Sequence, residues 1–259
     1  MNDKLGTWPA ALFVVRGGRK SSGCFFMSRR FLSSVCCSLF LFAASGILLP
    51  AQVSKEANSG YQTKEQRERV ASNLDRPERE KSQKPRELIA ALGVDNGDVI
   101  ADIGSGVGFM LPYFLEAVGP GGKIYAEDIQ QDFLDTVEEK KRDNNWANVE
   151  TILGNQKDPK LPSDQIDLAF ILDAFHHFSY PVETMRKIRR SLKPDGRLVM
   201  VDFYRSRKHP TRGKEWCEKH IRLDRDGFAA EIVSAGFKLE RHFDHLPHQY
   251  VLVFRKDSP

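Results

Sequence analysis

The stretch from Asp98 to Gly108, DVIADIGSGVG, determines how this chain folds. Its first half is a short apolar run, which predicts a buried strand, and its second half is a glycine-rich turn. Glycine allows a positive φ and lets a ligand approach the backbone closely. The helix predicted from about Phe109 offers free N–H groups at its start. The stretch therefore predicts a strand–turn–helix unit that binds a ligand at the turn.

Segments of strand and helix pattern alternate through the rest of the chain. Four more apolar runs predict parallel strands, namely KIYAED, NVETIL, IDLAFILD and RLVMVDF, and helical segments separate most of them. The last two apolar runs, FKLERHF and QYVLVFR, are separated only by residues 244–248 and so predict an antiparallel hairpin. We expect an α/β fold, with a doubly wound, mostly parallel seven-stranded sheet, a C-terminal antiparallel hairpin and helices on both faces. In such sheets ligands bind at the carboxyl ends of the strands.

The glycine spacing distinguishes between classes of nucleotide site. A dinucleotide fingerprint requires glycine at positions 104, 106 and 109, but residue 109 is Phe. A Walker loop requires Gly-Lys-Ser/Thr, which does not follow the turn. A nucleotide-dependent oxidoreductase on a Rossmann fold therefore remains only an alternative interpretation.

The acid followed by GxGxG resembles the first motif of the class I S-adenosylmethionine-dependent methyltransferase family. The resemblance covers roughly residues 85–255. It implies that S-adenosylmethionine is the co-substrate, that no metal is used, and that the glycine loop cradles the methionine part of the donor. The residues to which it assigns this role are Asp102, Gly104, Ser105, Gly106 and Gly108.

The ends of the next strands supply the remaining candidates for binding S-adenosylmethionine. Asp128 can accept hydrogen bonds from both ribose hydroxyls, with Glu127 as the alternative. In the family a Gly-acid-small segment after the third strand contacts adenine. This chain has Asn155 at the position of the acid. Its side-chain amide can still pair with the adenine edge. The other predicted cofactor residues are Ile129, Asn155, Gln156 and Asp173.

Two histidines follow the fourth strand and are the catalytic candidates. His176 and His177 lie where the family places sulfonium and acceptor, and imidazole can act as a general base near neutral pH. The alternative is that they pack or cap the strand end. We expect methyl transfer to a small-molecule acceptor. The alternative to an enzyme is a non-catalytic protein that binds an adenosyl ligand.

The charge of the chain gives no sign of a nucleic-acid partner. Of the 39 Lys/Arg, six lie in residues 1–51, and of the 35 Asp/Glu, one lies there. The rest of the chain therefore has 33 basic and 34 acidic residues and a net charge of −1. The predicted domain thus lacks the basic surface expected of a nucleic-acid-binding protein. Its single cysteine, Cys217, cannot form an internal disulfide. The sequence does not indicate an oligomeric state.

The first 51 residues have the layout of a leader. Arg29 and Arg30 precede an apolar run that begins at Phe31 and ends at Leu49, and Ala51 offers a cleavage site. This layout predicts a signal peptide, and the alternative is an uncleaved membrane anchor. We expect residues 52–75 to be a flexible linker and residues 76–259 to be the methyltransferase domain. The expected location is exported or membrane-anchored, which conflicts with the cytoplasmic supply of S-adenosylmethionine.

Overall fold

The computed structural model describes residues 56–257. The leader predicted at residues 1–51, with its signal peptide or anchor, and residues 52–55 lie outside the described part of the chain. Within residues 56–257, no helix is both long enough and apolar enough to cross a membrane.

The described residues form one seven-stranded sheet. Its order is β3-β2-β1-β4-β5-β7-β6, with β1 to β5 parallel and β7 antiparallel to both of its neighbours. The strands are β1 (Val99–Ile103), β2 (Lys123–Asp128), β3 (Val149–Leu153), β4 (Ile166–Leu172), β5 (Leu192–Phe203), β6 (Phe237–Phe243) and β7 (Gln249–Lys256). The predicted fold class is confirmed, including the C-terminal hairpin.

Eight α-helices accompany the strands in the described residues. They are α1 (Lys64–Leu74), α2 (Glu78–Gln83), α3 (Pro85–Leu92), α4 (Leu111–Val118), α5 (Gln131–Asp143), α6 (Pro181–Ser191), α7 (Gly213–His220) and α8 (Arg225–Ser234). Short 3₁₀ turns cover Asn58–Tyr61 and Phe175–His177.

The central strands are apolar throughout because both faces of the sheet are covered. Alternate residues of β4 belong to two separate hydrophobic clusters, with Ala169 and Ile171 in one and Leu168 and Phe170 in the other. All four side chains are fully buried. This is the pattern of a parallel sheet between two helical layers, and it leaves the carboxyl ends of the strands as the place for a ligand.

The prediction of a flexible linker was wrong for residues 58–74, which form a turn and a helix packed on the domain. Thr63 and Gln66 form a capping box, in which each side chain accepts a backbone N–H of the other residue. The Arg67 guanidinium binds Asp132 of α5 at 2.7 Å. Polar contacts thus order a segment whose composition is typical of disorder. We call residues 56–83 the N-terminal arm.

Loss of the cap should loosen this arm without unfolding the sheet. Replacing an N-cap Thr by Ala costs about 1 kcal/mol, so we expect Thr63→Ala to accelerate amide exchange mainly in residues 64–74. Hydrogen-exchange mass spectrometry measures this directly. The matched control is Ser72→Ala in the last turn of the same helix. Equal exchange in both variants would contradict a capping role for Thr63.

Candidate active site

A cavity opens at the carboxyl ends of β1, β2 and β4, with a volume of about 1230 Å³ that includes its open mouth. Ten of the twelve residues predicted as site residues line it: Asp102, Gly104, Ser105, Gly106, Asp128, Ile129, Asn155, Gln156, Asp173 and His177. Gly108 and His176 do not line it. The parallel sheet brings these residues together, since their strands end at the same edge.

The glycine loop turns by means of positive φ angles and is fastened to β2. Gly104 has φ +68° and Gly106 has φ +55°. The Ser105 N–H donates to the Glu127 carbonyl at 2.9 Å, and the Gly106 N–H donates to Asp128 Oδ2 at 2.9 Å. These bonds fix the backbone of the loop against the neighbouring strand end. The loop is therefore a preorganised edge of the cavity.

Gly108 has a structural role here rather than a place in the cavity wall. Its φ is +81°, and an added Cβ would lie 2.7 Å from Leu111 Cδ1 and 3.3 Å from Val137 Cγ2. Glycine is therefore needed for close packing of the loop between α4 and α5. The resemblance implies a contact between Gly108 and the cofactor, and that contact stays a prediction for a residue that does not line the cavity.

Asp128 and Glu127 end β2 with their carboxylates in different surroundings. Asp128 accepts two backbone N–H groups, from Gly106 and from Gln130, each at 2.9 Å. Glu127 faces Gly154, where an added Cβ would lie 1.8 Å from Glu127 Oε1. Both side chains are buried and both line the cavity. Asp128, fixed at the start of α5, remains the better candidate for the ribose hydroxyls.

Three buried carboxyl groups and the partly buried Asp173 share this cavity, and loss of water contact raises the pKa of each. The pKa of Asp102 rises to about 7 and that of Asp128 to about 6, in both cases mainly through loss of water contact. The pKa of Glu127 is raised well above its usual value by burial and then by repulsion from Asp128. The pKa of Asp173 is raised to about 6, mainly by burial, against the pull of Arg79. The cavity therefore favours a ligand that brings positive charge or hydrogen-bond donors.

The raised pKa of Asp102 predicts a definite pH dependence of stability. Because the folded-state pKa of about 7 exceeds the usual 3.8, this group stabilises the fold below pH 4, and that contribution is lost as the pH rises towards 7. Asp102→Asn should therefore raise the Tm relative to the unsubstituted chain more at pH 8 than at pH 5. For a domain of this size, 1 kcal/mol corresponds to roughly 2–4 °C, so the difference should reach several degrees.

Calorimetric melting of the ligand-free protein at both pH values measures this difference. The exposed Asp135→Asn is the control, and it should show no such difference between the two pH values. If the Tm difference between Asp102→Asn and the unsubstituted chain were the same at both pH values, the carboxyl group at this position would not have the raised pKa.

Asp173 connects the N-terminal arm to the sheet. It has φ +56°, which is unusual for a residue other than glycine. Its carboxylate accepts hydrogen bonds from Gln83 at 2.8 Å, from Arg79 at 3.3 Å and from Gln249. The guanidinium of Arg79 also lies 4.4 Å from the ring centroid of Phe109. Asp173 thus forms a wall of the cavity and anchors the arm at the same time.

The segment after β3 lines the cavity through a turn. Asn155 Oδ1 accepts the N–H groups of Lys157 and Asp158 at 3.0 and 3.1 Å, which shapes the turn. Its side-chain amide N–H₂ is not used in these two bonds. The Gln156 carbonyl accepts from the Thr184 hydroxyl at 3.1 Å. Both residues are exposed, as expected at the open side of a ligand cavity.

The two candidate histidines have different surroundings. His176 is buried, and its Nδ1 lies 2.8 Å from Asp202 Oδ1. His177 lines the cavity, and its Nδ1 lies 3.1 Å from Asn58 Oδ1. Burial lowers the pKa of His177 well below its usual value, so this imidazole is neutral. His177 is therefore the histidine that can face an acceptor, while His176 lies behind it.

Sequence reasoning missed the part of the cavity wall that the N-terminal arm supplies. Asn58, Tyr61 and Arg79 line the cavity, and the ring of Tyr61 meets those of Phe133 and His177 at centroid distances of 6.2 and 5.2 Å. Burial raises the pKa of Tyr61 to about 12. The Thr63-Lys-Glu-Gln66 capping-box pattern was the available signal for an ordered arm.

The sheet order and the cleft at its carboxyl edge are those of a Rossmann-like α/β fold. Residues 101–200 match the family model described as a methyltransferase domain. They form a methyltransferase domain of the class I, Rossmann-like type, and S-adenosylmethionine is the co-substrate of this class.

Curated relatives and a solved structure agree with this assignment. A ubiquinone/menaquinone biosynthesis C-methyltransferase UbiE from Vibrio parahaemolyticus is 30% identical over 119 residues, which is 46% of each chain. The protein of that name from Pseudomonas entomophila is 29% identical over the same length and shares. The match thus spans about half the length of these relatives. A SAM dependent methyltransferase from Aquifex aeolicus has the same fold, with TM-score 0.66, 24% identity, and coverage of 71% of this chain and 96% of that one.

Proposed function

We propose that the protein transfers a methyl group from S-adenosylmethionine to a small-molecule acceptor. The observation that carries the proposal is the set of carboxyl groups around the glycine loop, formed by the buried Asp102, Glu127 and Asp128 and the partly buried Asp173. A donor with a sulfonium cation, an amino group and ribose hydroxyls supplies the positive charge and the hydrogen-bond donors that these carboxylates lack.

The same carboxylates argue against the alternative of a dinucleotide-dependent oxidoreductase. A dinucleotide brings two negative phosphates to the glycine loop, and like charges that share a buried site repel each other strongly. Here the Gly106 N–H, which could otherwise bind a phosphate, already donates to Asp128. The absence of glycine at position 109 agrees with this conclusion.

Methyl transfer from a sulfonium needs alignment and exclusion of water more than covalent help. In this chain the glycine loop and Asp128 fix one side of the cavity, and the N-terminal arm covers another through Tyr61 and Leu74. S-adenosylmethionine supplies the methyl group. The lowered pKa of His177 makes it a weak proton acceptor, so it is a poor candidate for removing a proton from the acceptor.

A small acceptor fits the lining of the cavity. The aromatic rings of Tyr61, Phe133 and Phe178 lie on its wall, and they offer an apolar surface of the kind that lines small-molecule sites. The names of the UbiE relatives point to carbon methylation of a quinone precursor, and an aromatic acceptor of this kind is the class that we would screen first.

The deciding experiment compares ligands and then turnover. Calorimetry should show binding of S-adenosylmethionine and S-adenosylhomocysteine, with no heat from NAD under the same conditions. Incubation with methyl-labelled donor and fractionated metabolite extract should then label a small molecule. Binding without any transfer would favour the non-catalytic alternative, and binding of NAD alone would overturn the proposal.

We also propose that residues 1–51 direct export or membrane attachment. The proposal is supported by Arg29 and Arg30, which precede the apolar run from Phe31 to Leu49. N-terminal sequencing of the protein recovered from cells tests it. A new N-terminus at Gln52 would support a cleaved signal peptide. Recovery of the intact chain in the membrane fraction would support an anchor, and recovery of the intact chain in the soluble cytosol would overturn both.

A further inference from the structure

Three histidines from two separate parts of the fold come together beside the cavity. His176 and His177 form the turn after β4, and His220 is the last residue of α7. One ring nitrogen from each lies within 4.8 Å of the other two. The ring centroids are separated by 4.1 Å for His176–His177, 5.1 Å for His176–His220 and 5.2 Å for His177–His220. We call these three residues the histidine cluster.

Neighbouring side chains fix the orientation of each ring. The carboxylate of Asp202, fully buried, accepts from His176 Nδ1 at 2.8 Å, which leaves Nε2 of His176 with its lone pair. Asp202 also accepts the backbone N–H groups of His176 and Phe203, so it is held firmly at the end of β5.

Two hydrogen bonds with Asn58 orient His177. Asn58 donates through Nδ2 to the His177 carbonyl at 2.8 Å and accepts through Oδ1 from His177 Nδ1 at 3.1 Å. This arrangement also leaves Nε2 of His177 without its proton. The ring of His220 stacks on Trp216, with a centroid distance of 4.3 Å and an interplanar angle of 24°.

We propose that the histidine cluster binds a divalent transition-metal ion of the zinc type. Imidazole is a preferred ligand of zinc, copper, iron and nickel. A ligating histidine usually donates its second ring N–H to a carboxylate or to another oxygen, as His176 does to Asp202 and His177 to Asn58. Three clustered imidazoles with this outer support match the chemistry of a metal site better than that of a hydrophobic core.

The distances require only a modest contraction. With Zn–N bonds of about 2.0–2.1 Å, tetrahedral geometry places ligand nitrogens about 3.3 Å apart. Binding would therefore draw together nitrogens that lie up to 4.8 Å apart. Three protein ligands leave the fourth coordination position to water or to an incoming ligand.

The bound ion would join parts of the chain that lie far apart in sequence. It would tie α7, which belongs to the segment between β5 and α8, to the turn after β4. His177 lines the cavity, so the metal would lie directly behind the wall that faces the acceptor. This role does not depend on the methyl-transfer proposal, because the ion binds to histidine side chains rather than to the glycine loop.

The test uses the full chain without an affinity tag, stripped of metal and titrated with Co²⁺. We expect one equivalent to bind, with the visible absorption of four-coordinate Co²⁺, and Zn²⁺ to displace it. Asp202→Asn should weaken binding by about 10–100-fold, as loss of an outer carboxylate does at other sites. His220→Gln should weaken it by roughly 100-fold or more, since it removes a ligand itself.

The control is His242→Gln, an exposed histidine on β6, which should bind Co²⁺ like the unsubstituted chain. Circular dichroism of each variant establishes that it is folded. Binding that His220→Gln and Asp202→Asn leave unchanged would overturn the proposal, as would the absence of any Co²⁺ uptake by the unsubstituted chain. Calorimetry with S-adenosylhomocysteine reports separately on the proposed function.

Discussion

Replacing Gly104 by valine is expected to abolish binding of S-adenosylhomocysteine. Gly104 has φ +68°, a region that β-branched residues avoid. The added Cβ would lie 2.7 Å from the Cβ of Ala174, and both atoms are attached directly to backbone, just after the ends of β1 and β4. The loop must therefore shift, and the two further methyl groups take up space at the edge of the cavity.

We expect the affinity to fall by more than 100-fold, which corresponds to roughly 3 kcal/mol. Isothermal calorimetry measures the loss, and a melting curve checks that the protein still folds. Gly121→Ala is the control, because its added Cβ would have its nearest neighbour at 4.0 Å and the residue lies on the exposed far turn. If Gly104→Val bound the product as tightly as the unsubstituted chain, the glycine loop would not be the cofactor site.

Asp128→Asn should produce the second largest effect on the same measurement. The substitution keeps the size of the side chain but removes the negative charge that would accept hydrogen bonds from the ribose hydroxyls. A hydrogen bond to a charged group contributes about 1.5–3 kcal/mol, so loss of one such contribution should lower the affinity by roughly 10–150-fold.

Two further variants make the Asp128 result specific. Asp135→Asn lies on the exposed face of α5, the helix that follows Asp128 in the chain, and should leave affinity unchanged. Glu127→Gln tests the alternative ribose ligand. A large loss with Glu127→Gln and none with Asp128→Asn would reverse the assignment of these two acids while leaving the proposed function in place.

The alternation of strands and helices could be predicted because it depends on local patterns. The run at 166–172 is apolar at almost every position because both faces of β4 are covered, and the turn at 104–108 contains glycine where φ must be positive. Parallel strands end at one edge, so the positions of Asp102, Asp128 and Asp173 followed from the order of elements alone.

The other half of the site depends on contacts between residues that lie far apart in the sequence. Asn58 meets His177 across 119 positions, and Arg79 meets Asp173 across 94. A polar segment with few apolar residues carries no periodic signal for such contacts, so the N-terminal arm was mistaken for a linker. Likewise, nothing local in the sequence indicates the two partners of His220, which lie 43 and 44 positions earlier in the chain.

One wall of the cavity belongs to the N-terminal arm rather than to the sheet, and this has a kinetic consequence. Leu74 contacts the glycine loop closely enough that a Cβ on Gly106 would lie 2.8 Å from it, and the arm is joined to the domain by side-chain contacts such as Arg67–Asp132, Gln83–Asp173 and Tyr61–Phe133. A segment held in this way detaches at far lower cost than global unfolding. Under the proposed function, exchange of spent donor for fresh donor would proceed by brief departure of the arm, and turnover would follow the frequency of that departure.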